Sequence, residues 1–135
     1  MRLQLLDARN AGELEAVLQA LRKNSPEAIL ASGDALYLAN SGKVAAVVRK
    51  TRIPAMFPYD TYHEHGALIS YGPNMSEAGR LTAGYVDKIL KGANPSGMPI
   101  QQISRFQLII DLRVAREQGI NVPQVLLFRA DKVIQ

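Results

Sequence analysis

Two hydrophobic spacings alternate along this chain, and the switches between them outline an order of elements. Leu3, Leu5 and Leu6 open a short strand with Asp7 near its end. Asn10 then caps a helix, with Glu13 completing a capping box. Leu14, Val17, Leu18 and Leu21 recur on one face of that helix, and Asn24-Ser25-Pro26 breaks it. Ala28–Ala31 is a short apolar run that suits a strand buried on both faces. After the turn Ser32-Gly33-Asp34, a second helical stretch runs to about Lys50, weakened at Gly42. Pro54–Phe57 is the next strand, Pro58 to Gly66 an irregular loop, and Ala67–Ser70 a further strand with Tyr71-Gly72-Pro73-Asn74 as its exit turn. A long helix follows from about Ser76 to Lys91, with Gly92 as its stop signal. Asn94 to Pro99 is a linker, Phe106–Ile110 a strand, Asp111 the cap of a short helix ended by Gly119, and Val122-Pro123 the start of a last helical turn.

Strand, helix, strand, helix, strand is the order of an α/β domain with a mainly parallel sheet flanked by helices. Such sheets bind ligands outside the carboxyl ends of their strands. That rule selects three turns: Ser32-Gly33-Asp34, Tyr59-Asp60, and Tyr71-Gly72-Pro73-Asn74. If the strands are parallel, all three open on one edge.

Composition narrows the class. The 135 residues suffice for one domain or one lobe, and 47% hydrophobic content supports a packed core rather than disorder. No apolar run approaches the ~20 residues of a membrane span, and the first residues lack the pattern of a signal peptide. Cysteine is absent, which excludes disulfides, thiolate catalysis and Cys-ligated metal clusters. The net charge of +4 invites nucleic acid, but Arg22, Lys23, Arg49, Lys50, Lys88, Lys91 and Arg116 fall at predicted helix ends, where they complement the helix dipole. No basic stripe with interleaved aromatics remains, so nucleic acid is not an expected partner.

Each candidate side chain also has a plainer role. Asp34 precedes a helix and can simply cap it. Asp60 has no predicted helix to cap, which favours a ligand contact over an Asx-turn. Phe57 reads as core, whereas Tyr59, Tyr62 and Tyr71 read as strand-end rings able to stack on a ligand. His63-Glu64-His65 matches no usual metal-ligand spacing and reads as a solvated loop. Glycine-rich nucleotide fingerprints and a nucleophile elbow are both missing, so neither cofactor nor catalysis has a positive signal.

Several motifs carry a resemblance: Ile53-Pro-Ala-Met-Phe57, Gly66-Ala-Leu-Ile-Ser-Tyr-Gly-Pro-Asn74, Gly84-Tyr-Val-Asp-Lys-Ile-Leu-Lys-Gly92, Pro99-Ile-Gln-Gln102, Phe106-Gln-Leu-Ile-Ile-Asp-Leu112 and Arg129-Ala-Asp-Lys-Val-Ile134. Together they resemble the ABC-transporter substrate-binding proteins of the tryptophan/tyrosine-binding-like group, with residues 3–52 matching more loosely. The resemblance implies an extracytoplasmic, exported or membrane-anchored protein of two α/β lobes that close on a small polar or aromatic solute and serve a permease. It implies no enzymatic activity. On this alignment the chain corresponds to the carboxyl-terminal portion, without the amino-terminal lobe, the first strand–helix unit of the second lobe, or an export signal. Residues 1–72 would form the ligand-facing segment and 73–135 the crossover helix, strand and terminal helices.

Carried over by position, the ligand contacts are Ser32, Asp34, Tyr59, Asp60, Ser70, Tyr71 and Asn74. The alternative is an enzyme or a small-ligand-sensing regulator on the same frame. A bared strand edge at Leu3–Asp7, with apolar surface near Tyr71 and the Ser76–Lys91 helix, would favour a homodimer.

Overall fold

In the computed structural model, residues 2–24 and 26–135 are described, and their strands form one five-stranded sheet in the order β1-β2-β3-β4-β5. The strands are β1 (Ile29–Leu30), β2 (Ala55–Phe57), β3 (Ile69–Pro73), β4 (Phe106–Asp111) and β5 (Lys132–Ile134). The helices are α1 (Ala11–Asn24), α2 (Ala35–Ala39), α3 (Ser41–Thr51), α4 (Met75–Leu90), α5 (Leu112–Gln118) and α6 (Gln124–Arg129), with short 3-10 helices at Asp60–His65 and Pro95–Gly97. Strands β1, β2 and β3 are mutually parallel, β4 runs antiparallel to β3, and β5 is parallel to β4. The sheet is thus α/β and mostly parallel, and β1, β2 and β3 all end on one edge.

Apolar periodicity explains how the larger core forms. Leu14, Leu18 and Leu21 of α1 pack with Val44, Ala45, Val47 and Val48 of α3 against Ala55 and Phe57 of β2. Tyr62 completes this cluster, its ring stacked on Phe57 at 4.4 Å between centroids. A smaller cluster joins Leu68 to Val114 and Ala115 of α5. Paired residues on neighbouring strands share a face, so Phe57, Ser70, Ile109 and Lys132 lie in one row across the sheet. The 3-10 helix Asp60–His65 contacts α3 and β3 on this side of the molecule.

Local chemistry sets the ends of the elements. Asn10 and Glu13 hold the start of α1: Glu13 N donates to Asn10 Oδ1 at 3.0 Å, while the Asn10 side-chain amide and Arg9 N each donate to the Glu13 carboxylate at 2.9 Å. Asp111 accepts from the backbone N–H groups of Arg113 and Val114 and so caps α5. Its carboxylate is fully buried and bound twice more by the Arg113 guanidinium, at 3.1 and 2.8 Å. Burial would raise the Asp111 pKa, but these hydrogen bonds and the adjacent positive charge outweigh it and hold the carboxyl below its ordinary value.

The structure corrects several sequence expectations. No strand forms at Leu3–Asp7: the segment pairs with nothing, and Leu3 and Leu5 are 85% and 86% exposed. A strand exists only through a partner's ladder, and β1 offers its ladder to β2 alone. For the same reason Ile29-Leu30 is not buried on both faces; Leu30 is 73% exposed on this edge strand. The second helix breaks at Asn40 rather than Gly42, where the Asn40 amide donates to Leu36 O and closes α2.

The Pro58–Gly66 loop contains a 3-10 helix, closed by Gly66 at φ 86°, a left-handed conformation that glycine adopts without strain. Strand β3 runs on through Tyr71, Gly72 and Pro73, because β4 pairs with it along that whole length. The tail Lys132–Ile134 is strand β5, and the last helix starts at Gln124. Ser25, in the break predicted after α1, lies outside the described residues. The predicted apolar surface is present: α4 buries none of its residues, and Tyr71, Met75, Val86, Ile89, Leu90 and Phe106 are exposed.

Two substitutions test this framework. A Cβ at Gly72 would run into the Pro58 carbonyl, a backbone atom that cannot swing aside. Gly72→Ala should therefore destabilise the fold by about 2–3 kcal/mol, read by urea denaturation. Asp111→Ala should cost about 2–3 kcal/mol, while Asp111→Asn, which keeps a capping oxygen, should lose roughly half as much in the same measurement.

Candidate functional site

The ends of β1, β2 and β3 lie along one sheet edge, but the candidate side chains there divide into distinct groups. At the end of β1, Ser32 and Asp34 are exposed. Asp34 Oδ1 accepts from Leu36 N at 2.7 Å and caps α2, so one oxygen is already occupied. At the end of β2, the Tyr59 hydroxyl donates to Gly33 O at 3.3 Å, which ties the first turn to the second. Asp60, next along, is exposed and opens the 3-10 helix.

Strand β3 sends adjacent residues to opposite faces. Ser70 faces the 3-10 helix and is 2% exposed, its Oγ 2.9 Å from His63 Nε2. Tyr71 faces the other way, half exposed, with its ring 5.7 Å from that of Phe106 on β4. Asn74 caps α4: its Oδ1 accepts from Glu77 N at 3.1 Å, and its amide donates to Gln107 Oε1 at 3.4 Å.

Two concavities lie beside these residues. The smaller, about 10 Å³, is bounded by Pro58, Asp60, Ser70, Gly72, Pro73, Gln107 and Ile109, and brings the second and third turns together over β4. The larger is an open groove of about 350 Å³ on the face of β4 and β5. Asp60, Thr61, His63 and Glu64 line it together with Arg113, Lys132, Ile109 and Ile134. Asp60 borders both. The structure thus brings Asp60 to Ser70 and Tyr59 to the Ser32–Asp34 turn, while Tyr71 stands apart from Ser70 on the far face.

Sequence reasoning misplaced some residues and missed others. Tyr62 is a fully buried core ring rather than a strand-end platform, and its burial raises its pKa. Asp60 does precede helical residues, because a 3-10 turn forms where an irregular loop was expected. The run His63-Glu64-His65 is not uniformly solvated: Glu64 and His65 are exposed, but His63 turns inward.

Burial is the main influence on the His63 ring and keeps its pKa below the ordinary histidine value; the Ala67 backbone, Asp111 and Asp60 oppose this and Lys132 adds to it. Its Nδ1 is buried without a hydrogen-bond partner among the described residues. Gln107, Arg113 and Lys132 also border the concavities and were not singled out, since nothing in their sequence context marks them. Among the described residues no three His, Asp or Glu side chains are grouped to hold a metal ion, and no helix is long and apolar enough to cross a membrane.

The arrangement offers hydroxyls, carboxylates and an aromatic ring at a sheet edge. The fold matches a conserved domain protein from Vibrio cholerae with a TM-score of 0.81 at 25% identity, over 90% of this chain and 41% of that one. It matches an ABC domain from Streptococcus pneumonia in complex with L-Trp with a TM-score of 0.81 at 24% identity, over 91% of this chain and 42% of that one. A ligand-free, open substrate-binding protein with adhesive properties from Clostridium difficile matches at a TM-score of 0.56 and 20% identity, over 95% and 42% of the two chains.

The chain therefore spans about two fifths of the length of these solved structures. No curated protein sequence matches it. The sequence pattern of the family described as ABC transporter substrate binding protein matches residues 1–134, so this chain belongs to that family, whose members bind substrates rather than transform them.

Proposed function

We propose that this chain supplies one ligand-facing edge of a two-lobed solute-binding protein that delivers a small polar or aromatic molecule, such as an amino acid, to an ABC permease outside the cytoplasmic membrane. One observation carries the reading: the parallel strands β1, β2 and β3 end on the same edge, with Ser32, Asp34, Tyr59 and Asp60 in the loops after β1 and β2, Ser70 and Tyr71 on β3, and Asn74 just after it. Residues 1–72 would supply the ligand-facing turns, and residues 73–135 the crossover.

The chemistry suits an ammonium-bearing solute. Asp60 makes no capping bond among the described residues, so its carboxylate is the natural partner of a ligand ammonium, while Tyr71 offers a half-exposed ring on the opposite face of β3. The complex of a structural relative with L-Trp makes aromatic amino acids the natural probes. A thermal-shift screen of amino acids and nucleobases tests the reading. An aromatic amino acid well above its Kd should raise Tm by about 5 °C. Asp60→Ala should abolish that rise without lowering the Tm of the free protein. A catalytic turnover with no stabilising ligand would support the enzyme alternative instead.

The exposed apolar row from Tyr71 and Phe106 along α4 supports association of the isolated chain as a homodimer. Light scattering over a range of concentrations reads this directly; a constant 14.8 kDa species would overturn the dimer.

A further inference from the structure

We propose that His63 is a positioning residue of the ligand edge: its Nε2 fixes the Ser70 hydroxyl beside Asp60, and protonation of the ring reverses that hydrogen bond and weakens ligand capture in mild acid. The proposal rests on the amino-acid-binding reading above and adds to it a residue and a pH response.

The geometry isolates His63 as the link between two elements. The 3-10 helix that carries it is anchored by its neighbour Tyr62, fully buried and stacked on Phe57, so the imidazole is held in place by packing. Its Nε2 meets Ser70 Oγ at 2.9 Å, and Ser70 lines the small cavity together with Asp60, Gly72 and Gln107. Ser70 is too buried to leave this position, so the ring decides which way its hydroxyl points. A neutral imidazole can accept the Ser70 O–H at Nε2, which turns the oxygen lone pairs toward the cavity. An imidazolium carries a proton on both nitrogens and can only donate. Protonation therefore turns Ser70 from an acceptor toward the site into a donor toward it.

The charged groups around the ring come from every neighbouring element. Asp60, Glu64 and His65 share its 3-10 helix. Asp111 of β4 is neutralised by Arg113 of α5, at 2.8 Å. Lys132 of β5 lines the same groove. On the α3 side, Arg49 is paired with Glu117 at 2.6 Å. The carboxylates Asp60 and Asp111 favour the charged ring, Lys132 opposes it, and burial decides for the neutral form. Because the folded ring holds its proton less tightly than the unfolded one, stability is constant above the unfolded pKa of about 6.5 and declines as pH falls from there toward the folded value.

Two measurements test the proposal in the whole chain. In the first, NMR follows the His63 ring protons through a pH titration, alone and in Ser70→Ala. If Ser70 donates to the neutral ring, Ser70→Ala should raise the His63 pKa; an unmoved titration overturns the assignment. In the second, calorimetry compares amino-acid binding at about pH 7.5 and at a pH about one unit below the His63 pKa found in that titration, in the wild type and in His63→Gln, whose amide does not titrate. L-tryptophan is the starting probe, followed by the remaining members of the screened panel. The wild type should bind about tenfold more weakly in acid, a change of about one pKa unit's worth of coupling, while His63→Gln binds equally at both. A panel member that binds the wild type equally at both pH values, or loses affinity in acid equally in His63→Gln, overturns the proposal alone. If no member binds at either pH, the amino-acid reading has failed and the proposal falls with it.

Discussion

Strand β3 is the constraint on which the rest of the molecule depends. It pairs in parallel with β2 on one side and antiparallel with β4 on the other, and it passes so close to the Pro58 carbonyl that only glycine fits at position 72. That approach holds the Pro58–Asp60 turn against the strand and brings two of the three strand-end turns into register. The antiparallel pairing then carries β4, and through it β5 and the α5 cap at Asp111, into the same sheet. Side-chain alternation along β3 also divides the edge chemically: Ser70 faces the packed lobe, and Tyr71 faces outward.

Several polar residues at the edge hold the backbone as well as facing the site. Asp34 and Asn74 cap helices, and the Tyr59 hydroxyl ties one turn to the next. Such bonds fix the turns, which in the proposed role would lower the ordering entropy of capture. Asp60 is different. Its carboxylate makes no capping bond, so it remains available at the meeting point of the two concavities.

Much of the fold was legible because its determinants are local. The Asn10–Glu13 pairing, the leucines of α1, the Asp111 cap and the Gly119 stop each act within a turn or two of their own position. Misreadings arose where a partner distant in sequence decides the outcome. Leu3–Asp7 has the right alternation for a strand but no neighbouring ladder, whereas Tyr71–Pro73 has turn residues yet is drawn into β3 by β4 more than thirty positions away. At the candidate site, strand order placed the three strand ends on one edge, but it could not show which side chains meet. Tyr62 and His63 turn inward because the 3-10 helix packs on α3 and β3, and no spacing in the sequence announces that turn.

The sheet order repeats the chain order, and this has a consequence for how the molecule assembles. Every strand pairs with the one that precedes it, so the sheet can grow by addition at one growing side, without threading a late segment between strands already joined. Each addition then closes only the loop of its own connection, and closure entropy grows slowly with that length. The longest connection is the step from β3 to β4, where the whole of α4 and the following linker must be looped out before five residue pairs lock together. Formation of that one antiparallel ladder is the natural bottleneck, since it joins the parallel half of the sheet to the β4–β5 half.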